Sequence, residues 1–198
     1  MLSRAARILP LLQRGKSSRR WLLSRLPRRA TCAELGVYKG DFSHLALKMT
    51  APKKLHLVDP WKFELDPAYA DSWYGGDQGQ NQTNMDDIYR SVWRRFNSEI
   101  ERGVVELHRQ SSADACRQFP DNYFDWIYID GNHKYEFVKQ DLEMYLPKVK
   151  PHGLIAGDDY ATPGWWQDGV TKAVDEAIAG GRFEKLHIEN NQFLLRKV

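Results

Sequence analysis

The sequence predicts an α/β domain, doubly wound, with a mostly parallel, Rossmann-like sheet and an antiparallel hairpin at its C-terminal edge. From residue 31 onward, short apolar runs alternate with helix-periodic segments, the pattern of βαβ units covered on both faces. The last two runs are separated only by a turn containing Asn190-Asn191, which suits antiparallel neighbours. The length, 198 residues, gives one domain with a full core.

Taken in order, Thr31 to Val37 reads as the first strand. Asp41 then caps a helical stretch, Phe42 to Met49. Lys54 to Val58 is the second strand, stopped by Asp59-Pro60, and Val104 to His108 is the third. Phe124 to Ile129 is the fourth, ending on Asp130, and a helix follows from Tyr135 to Tyr145, before Pro147. Leu154 to Ala156, introduced by Pro151-His152-Gly153, is the fifth and ends on Asp158-Asp159. Val170 to Ala179 is a helix closed by Gly180-Gly181, and Lys185 to Ile188 and Phe193 to Leu195 finish the sheet. Residues 62–97 break the rhythm. Their aromatics, glycines and amides suit a lid or substrate insertion better than a linker.

Composition narrows the function. Apolar content of 42% and charged content of 28% are ordinary for a globular protein. No run approaches the length of a membrane span. Cys32 and Cys116 sit in apolar surroundings and read as buried thiols of a reducing, cytoplasmic compartment. Residues 1–33 carry nine Lys or Arg and no acid, which leaves 20 basic against 26 acidic residues in the remainder. The main body is therefore acidic, and a nucleic-acid partner is not expected. The basic stretch, residues 1–24, suits a solvated helical lead-in to a domain at 25–198. A transit peptide for an organelle and a surface-docking helix are its other readings.

Acids recur where the strands of a parallel sheet would end: Glu34, Asp59, Asp130, Asp158 and Asp159. Ligands of open parallel sheets bind at that edge. Five like charges there require a cation, or ligand hydroxyls and an ammonium group, to offset them. In AELGVYKGD, Gly36 and Gly40 let a ligand approach the backbone, and Glu34 favours one that is cationic. No G-x-G-x-x-G is present to seat a pyrophosphate. Asp59, about twenty residues on, suits the two hydroxyls of a ribose. His44, His56, His108, His152 and His187 lack partners at ligand spacing and read as structural or surface residues.

AELGVYKGDFS resembles the first motif of class I S-adenosylmethionine-dependent methyltransferases, and LHLVDPW is similar to their second. The runs IDGNH and GDDY resemble the macrocin O-methyltransferase-like branch, whose members methylate hydroxyls of sugars or other small molecules, often with a divalent metal. The resemblance implies S-adenosylmethionine as cofactor, held by Glu34, Gly36, Gly40, Asp59 and Asp130, with Ser111, Ser112 or Asp114 near adenine. It implies Mg²⁺ on Asp130, Asp158 and Asp159, and His133 as general base beside Asp130. The expected acceptor is a small hydroxylated molecule, a sugar or phenol, and homo-oligomer formation stays open. Tyr160, Trp165 and Trp166 would wall the acceptor pocket or cover the sheet edge. A nucleotide-binding oxidoreductase and a non-catalytic nucleoside-binding protein are the competing readings.

Overall fold

A computed structural model describes residues 17–162 and 164–198. Seven strands form one sheet in the order β3-β2-β1-β4-β5-β7-β6. They are β1 (Thr31–Leu35), β2 (Lys54–Val58), β3 (Val105–His108), β4 (Phe124–Ile129), β5 (Val149–Gly157), β6 (Phe183–Glu189) and β7 (Gln192–Lys197). The pairs from β3 through β5 are parallel, whereas β7 runs antiparallel to both β5 and β6. The expected fold and edge hairpin are both present. The chain winds from β1 outward to β3, returns to β4, and winds the other way. The switch between β1 and β4 opens a crevice at their carboxyl ends.

Alternation along each strand sends residues to two cores. Cys32, Trp126 and Tyr128 join Phe42, Ala46, Met85, Ile88 and Val92 on one face. Ala33, Leu35, Ile127 and Ile129 join Val138, Leu142, Val170 and Val174 on the other. This buries the sheet on both sides, and the apolar runs of its central strands reflect that burial.

Several local expectations change. Gly40, not Asp41, is the N-cap of helix Asp41–Thr50, in a left-handed conformation at φ 75°, and no side chain caps that end. Pro151-His152-Gly153 lies inside β5 rather than before it, beside a register irregularity against β4. The insertion is largely helical, with the turn Pro67–Tyr69, the short helix Gly76–Gly79 and the long helix Gln82–Arg95. The described part of the basic lead-in is not solvated. Residues 17–23 are helical, and Leu22, Leu23 and Leu26 are buried in the first core. The transit-peptide reading concerns residues that lie mostly outside those described. Among the described residues, no helix is long and apolar enough to cross a membrane.

Candidate active site

The end of β1 meets the end of β4 almost backbone to backbone. Gly36 has φ 91°, and a Cβ there would stand 2.1 Å from the Asp130 carbonyl oxygen. Only glycine permits that approach. Gly40 instead makes room for the Phe96 ring, which a Cβ would meet at 2.7 Å. Its role is to seat the insertion's helix on the turn.

Glu34 is buried at the end of β1, where Ser43 Oγ donates to its Oε2 at 2.5 Å. Burial pushes its pKa well up. Asp59 is equally buried. Its Oδ2 accepts from the Val37 and Tyr38 amides at 2.9 Å each, and its Oδ1 accepts from the Trp61 amide at 2.7 Å. The Tyr74 hydroxyl, reaching down from the insertion, donates to the same Oδ2. Asp59 thus ties the first turn to the second and carries the insertion's phenol as a further partner.

Asp130, Asp158 and Asp159 converge at the ends of β4 and β5 as expected, and a cation does stand among them. It is Arg19, from the basic lead-in. Its Nη2 donates to Asp130 Oδ2 at 2.7 Å and lies 2.9 Å from Asp158 Oδ2, on which its Nε also donates at 3.0 Å. Burial works against the guanidinium's charge, but Asp130, Tyr128 and Asp158 more than offset it and raise its pKa. The other oxygen of Asp158 accepts from Gln192 and from the Asp159 amide. Burial first, then Asp130, pushes the Asp158 carboxyl up. Burial and Asp158 push Asp159 up to about 6.

The expected Mg²⁺ set fits poorly. Mg²⁺ demands near-ideal octahedral oxygen coordination, yet Arg19 bridges Asp130 to Asp158 and Gln192 fills the latter's second oxygen. The acids that do face one another are Asp130 and Asp159, each with an oxygen 3.4 Å from His133 Nε2. Neither contact is aligned as a hydrogen bond, so among the described residues this buried nitrogen has two carboxylate neighbours but no hydrogen-bond partner. Burial disfavours the imidazolium, but the negative charges of Asp130, Asp159 and Asp158 outweigh it and raise the His133 pKa.

Two other orphaned buried atoms among the described residues, Trp166 Nε1 and Thr162 Oγ1, come from the loop after β5. The Trp166 ring lies 4.6 Å from the His133 ring, and Trp165 meets Tyr69 at 5.3 Å. Buried polar atoms are nearly always satisfied, which sets His133, Trp166 and Thr162 apart from the other buried polar side chains among the described residues. Tyr160, by contrast, bonds Asp175 at 2.8 Å and serves the loop.

The residues expected near adenine follow β3 and make local contacts. Ser111 caps the short helix Ser112–Cys116 by accepting from the Asp114 amide at 3.1 Å, and its hydroxyl donates to the Asp114 carboxylate at 2.7 Å. Ser112 turns away and donates to buried Asp141 at 2.6 Å. Arg19, Tyr74 and Gln192 were not expected. Their partners lie far off in sequence, so no local motif announces them. Asn132, whose amide donates to the Tyr69 hydroxyl at 2.9 Å, had a signal in its place within DGNH.

Comparison with known proteins identifies the family and the fold. A family model described as "Methyltransferase domain" matches residues 33–160. The chain therefore belongs to that methyltransferase family, whose methyl donor is S-adenosylmethionine. A curated relative, the uncharacterised protein y4gI of Sinorhizobium fredii, is 28% identical over 89 residues, 45% of this chain. The match spans only 9% of that relative's length. Among solved structures, a Staphylococcus aureus protein assigned as a caffeoyl-CoA O-methyltransferase superposes with a TM-score of 0.62 at 13% identity, covering 94% of this chain and 83% of its own. A Streptococcus mutans protein assigned as a methyltransferase, solved in complex with SAH, gives 0.58 at 11%, covering 92% and 97%. At such identities the structural likeness speaks for the fold. The macrocin-like branch has no support beyond the motifs themselves.

Proposed function

We propose that the protein transfers the methyl group of S-adenosylmethionine to the hydroxyl of a small sugar or phenol, with His133 as general base and Arg19 in place of a divalent metal. The observation that carries this reading is the buried, unpartnered Nε2 of His133, held between Asp130 and Asp159. Glu34 and Asp59 would hold the cofactor's amino-acid and ribose parts, Asp59 by exchanging the Tyr74 hydroxyl for a ribose hydroxyl. When bound, the cofactor supplies an electrophilic methyl on a sulfonium.

The chain's own residues do the rest. His133 Nε2 accepts the acceptor's proton as its oxygen attacks, and Asp130 and Asp159 stabilise the resulting imidazolium. Trp166, Trp165 and Tyr69 orient the acceptor ring and exclude water. Arg19 cancels charge that would otherwise accumulate on Asp130 and Asp158. Calorimetric titration with SAH, followed by methyl transfer from labelled cofactor to a panel of sugars and phenols in EDTA, tests the reading. Micromolar SAH binding and labelled product despite the chelator are expected. Failure of SAH to bind would overturn it.

A further inference from the structure

A second cluster lies away from the β4 and β5 acids, on strands β2 and β3 at the opposite edge of the sheet, with β1 between. Parallel register places His56 beside Glu106 and Val58 beside His108. His56 Nδ1 stands 2.9 Å from His108 Nε2. Glu106 Oε2 is 3.9 Å from the former, and Oε1 is 3.7 Å from the latter. The two rings are nearly buried beside Phe119 and Tyr123, while the Glu106 side chain is 48% exposed. The sequence reading gave these histidines no partner. Across the two strands they have one another.

From this convergence we infer that His56 Nδ1, His108 Nε2 and a Glu106 carboxylate oxygen form a binding site for a divalent transition metal of the Zn²⁺ type. A tetrahedral Zn²⁺ with bonds of about 2.0–2.1 Å spaces its ligand atoms by about 3.3 Å. The two imidazole nitrogens stand 2.9 Å apart, and one atom from each of the three side chains can be chosen with all three within 4.8 Å of one another. A small rotation of the exposed Glu106 side chain completes the set. Two imidazoles and one carboxylate form a common zinc donor set, with water completing the fourth position on the exposed side. Metal requires neutral imidazole. Burial supplies it, pushing His56 down to about 4 and lowering His108 as well.

The outer shell is also in place. The Tyr123 hydroxyl lies 3.1 Å from His56 Nε2, so the proton displaced from Nδ1 has an acceptor on the ring's far side. Lys54 Nζ, 2.7 Å from Glu106 Oε2, is the group the metal must displace. The ion would pin the sheet's edge strand to its neighbour.

The test uses the full chain after chelator treatment. Zn²⁺ is titrated by calorimetry, and Co²⁺ is followed by the visible absorption of a tetrahedral site, each with and without SAH. Wild type is expected to bind one equivalent whether or not SAH is present, with a raised Tm. Glu106→Gln, at an exposed side chain that leaves the core intact, should weaken binding roughly tenfold or more. Lys54→Met should tighten it, and Asp130→Asn should leave it unchanged. No stoichiometric binding to wild type, equal binding by Glu106→Gln, or loss confined to Asp130→Asn would each overturn the assignment. None of these outcomes depends on whether methyl transfer is observed.

Discussion

The Tyr74 hydroxyl donates to the same oxygen of Asp59 that anchors the Val37 and Tyr38 amides. Next to it, the Trp73 ring stacks on Tyr38 with centroids 5.0 Å apart. If Asp59 holds the cofactor ribose as proposed, the ribose competes with the protein's own phenol. Tyr74→Phe should tighten SAH binding several-fold, up to roughly tenfold or about 1.4 kcal/mol, when measured by calorimetry. Weaker binding would instead make Tyr74 a ligand contact. Asp59→Ala is the less informative variant, because it also removes the acceptor of three backbone amides.

Arg19 carries a second prediction. Removing one partner of a buried ion pair leaves charge uncompensated. Arg19 is 24% exposed, so Arg19→Met should destabilise the fold by about 1–3 kcal/mol rather than the full-burial figure. The same variant frees the oxygens of Asp130 and Asp158 and should bind Mg²⁺ more tightly than the wild type. Denaturant melts with and without Mg²⁺ read both effects. Equal Mg²⁺ affinity in the two proteins would refute the idea that the guanidinium stands in for the metal.

His133 must be neutral to accept a proton, and its acids raise its pKa. The rate should therefore rise with pH through a value above the ordinary 6.5 of histidine. Asp159→Asn removes one of the charges that hold the proton, so the rising limb should move to lower pH. His133→Ala should lose roughly 10²–10⁴-fold in kcat with SAH affinity little changed. A pH profile that Asp159→Asn leaves in place would argue against His133 as the titrating base.

Asp141 is buried with the Ser112 hydroxyl as its only side-chain partner among the described residues, and burial pushes its pKa up to about 7. Between the ordinary value near 4 and about 7, the folded chain therefore holds a proton that the unfolded chain has lost. Stability attributable to this group is full below pH 4 and falls as pH rises toward 7. Asp141→Asn should abolish that slope and stabilise the protein at pH 8 by up to a few kcal/mol, since each pKa unit is worth about 1.4 kcal/mol. Thermal melts across that range decide it.

What the sequence disclosed follows from the range of the interactions involved. Strand runs and the acids that end them are local, so β1, β2, β4 and the convergence of Asp130, Asp158 and Asp159 could be read directly. So could the difficulty that five acids create, though its resolution could not. Arg19 is 111 residues from Asp130, and its neighbours suggested only a basic leader. Likewise, His56 and His108 meet because of strand register, which no spacing within either strand encodes. Gly40 could be singled out from its place in the turn, but the Phe96 ring that it clears space for comes from the insertion and could not be read there.

Asp158 has a further consequence through its two side-chain partners, Arg19 at 139 residues' separation and Gln192 at 34. During synthesis, the first of these leaves the ribosome long before the second. Until β7 has paired with β5, Asp158 lacks its Gln192 partner and is held from the arginine side alone. Docking of the lead-in helix and closure of the edge hairpin are thereby coupled through one carboxylate, so that loosening either one loosens the grip on the other.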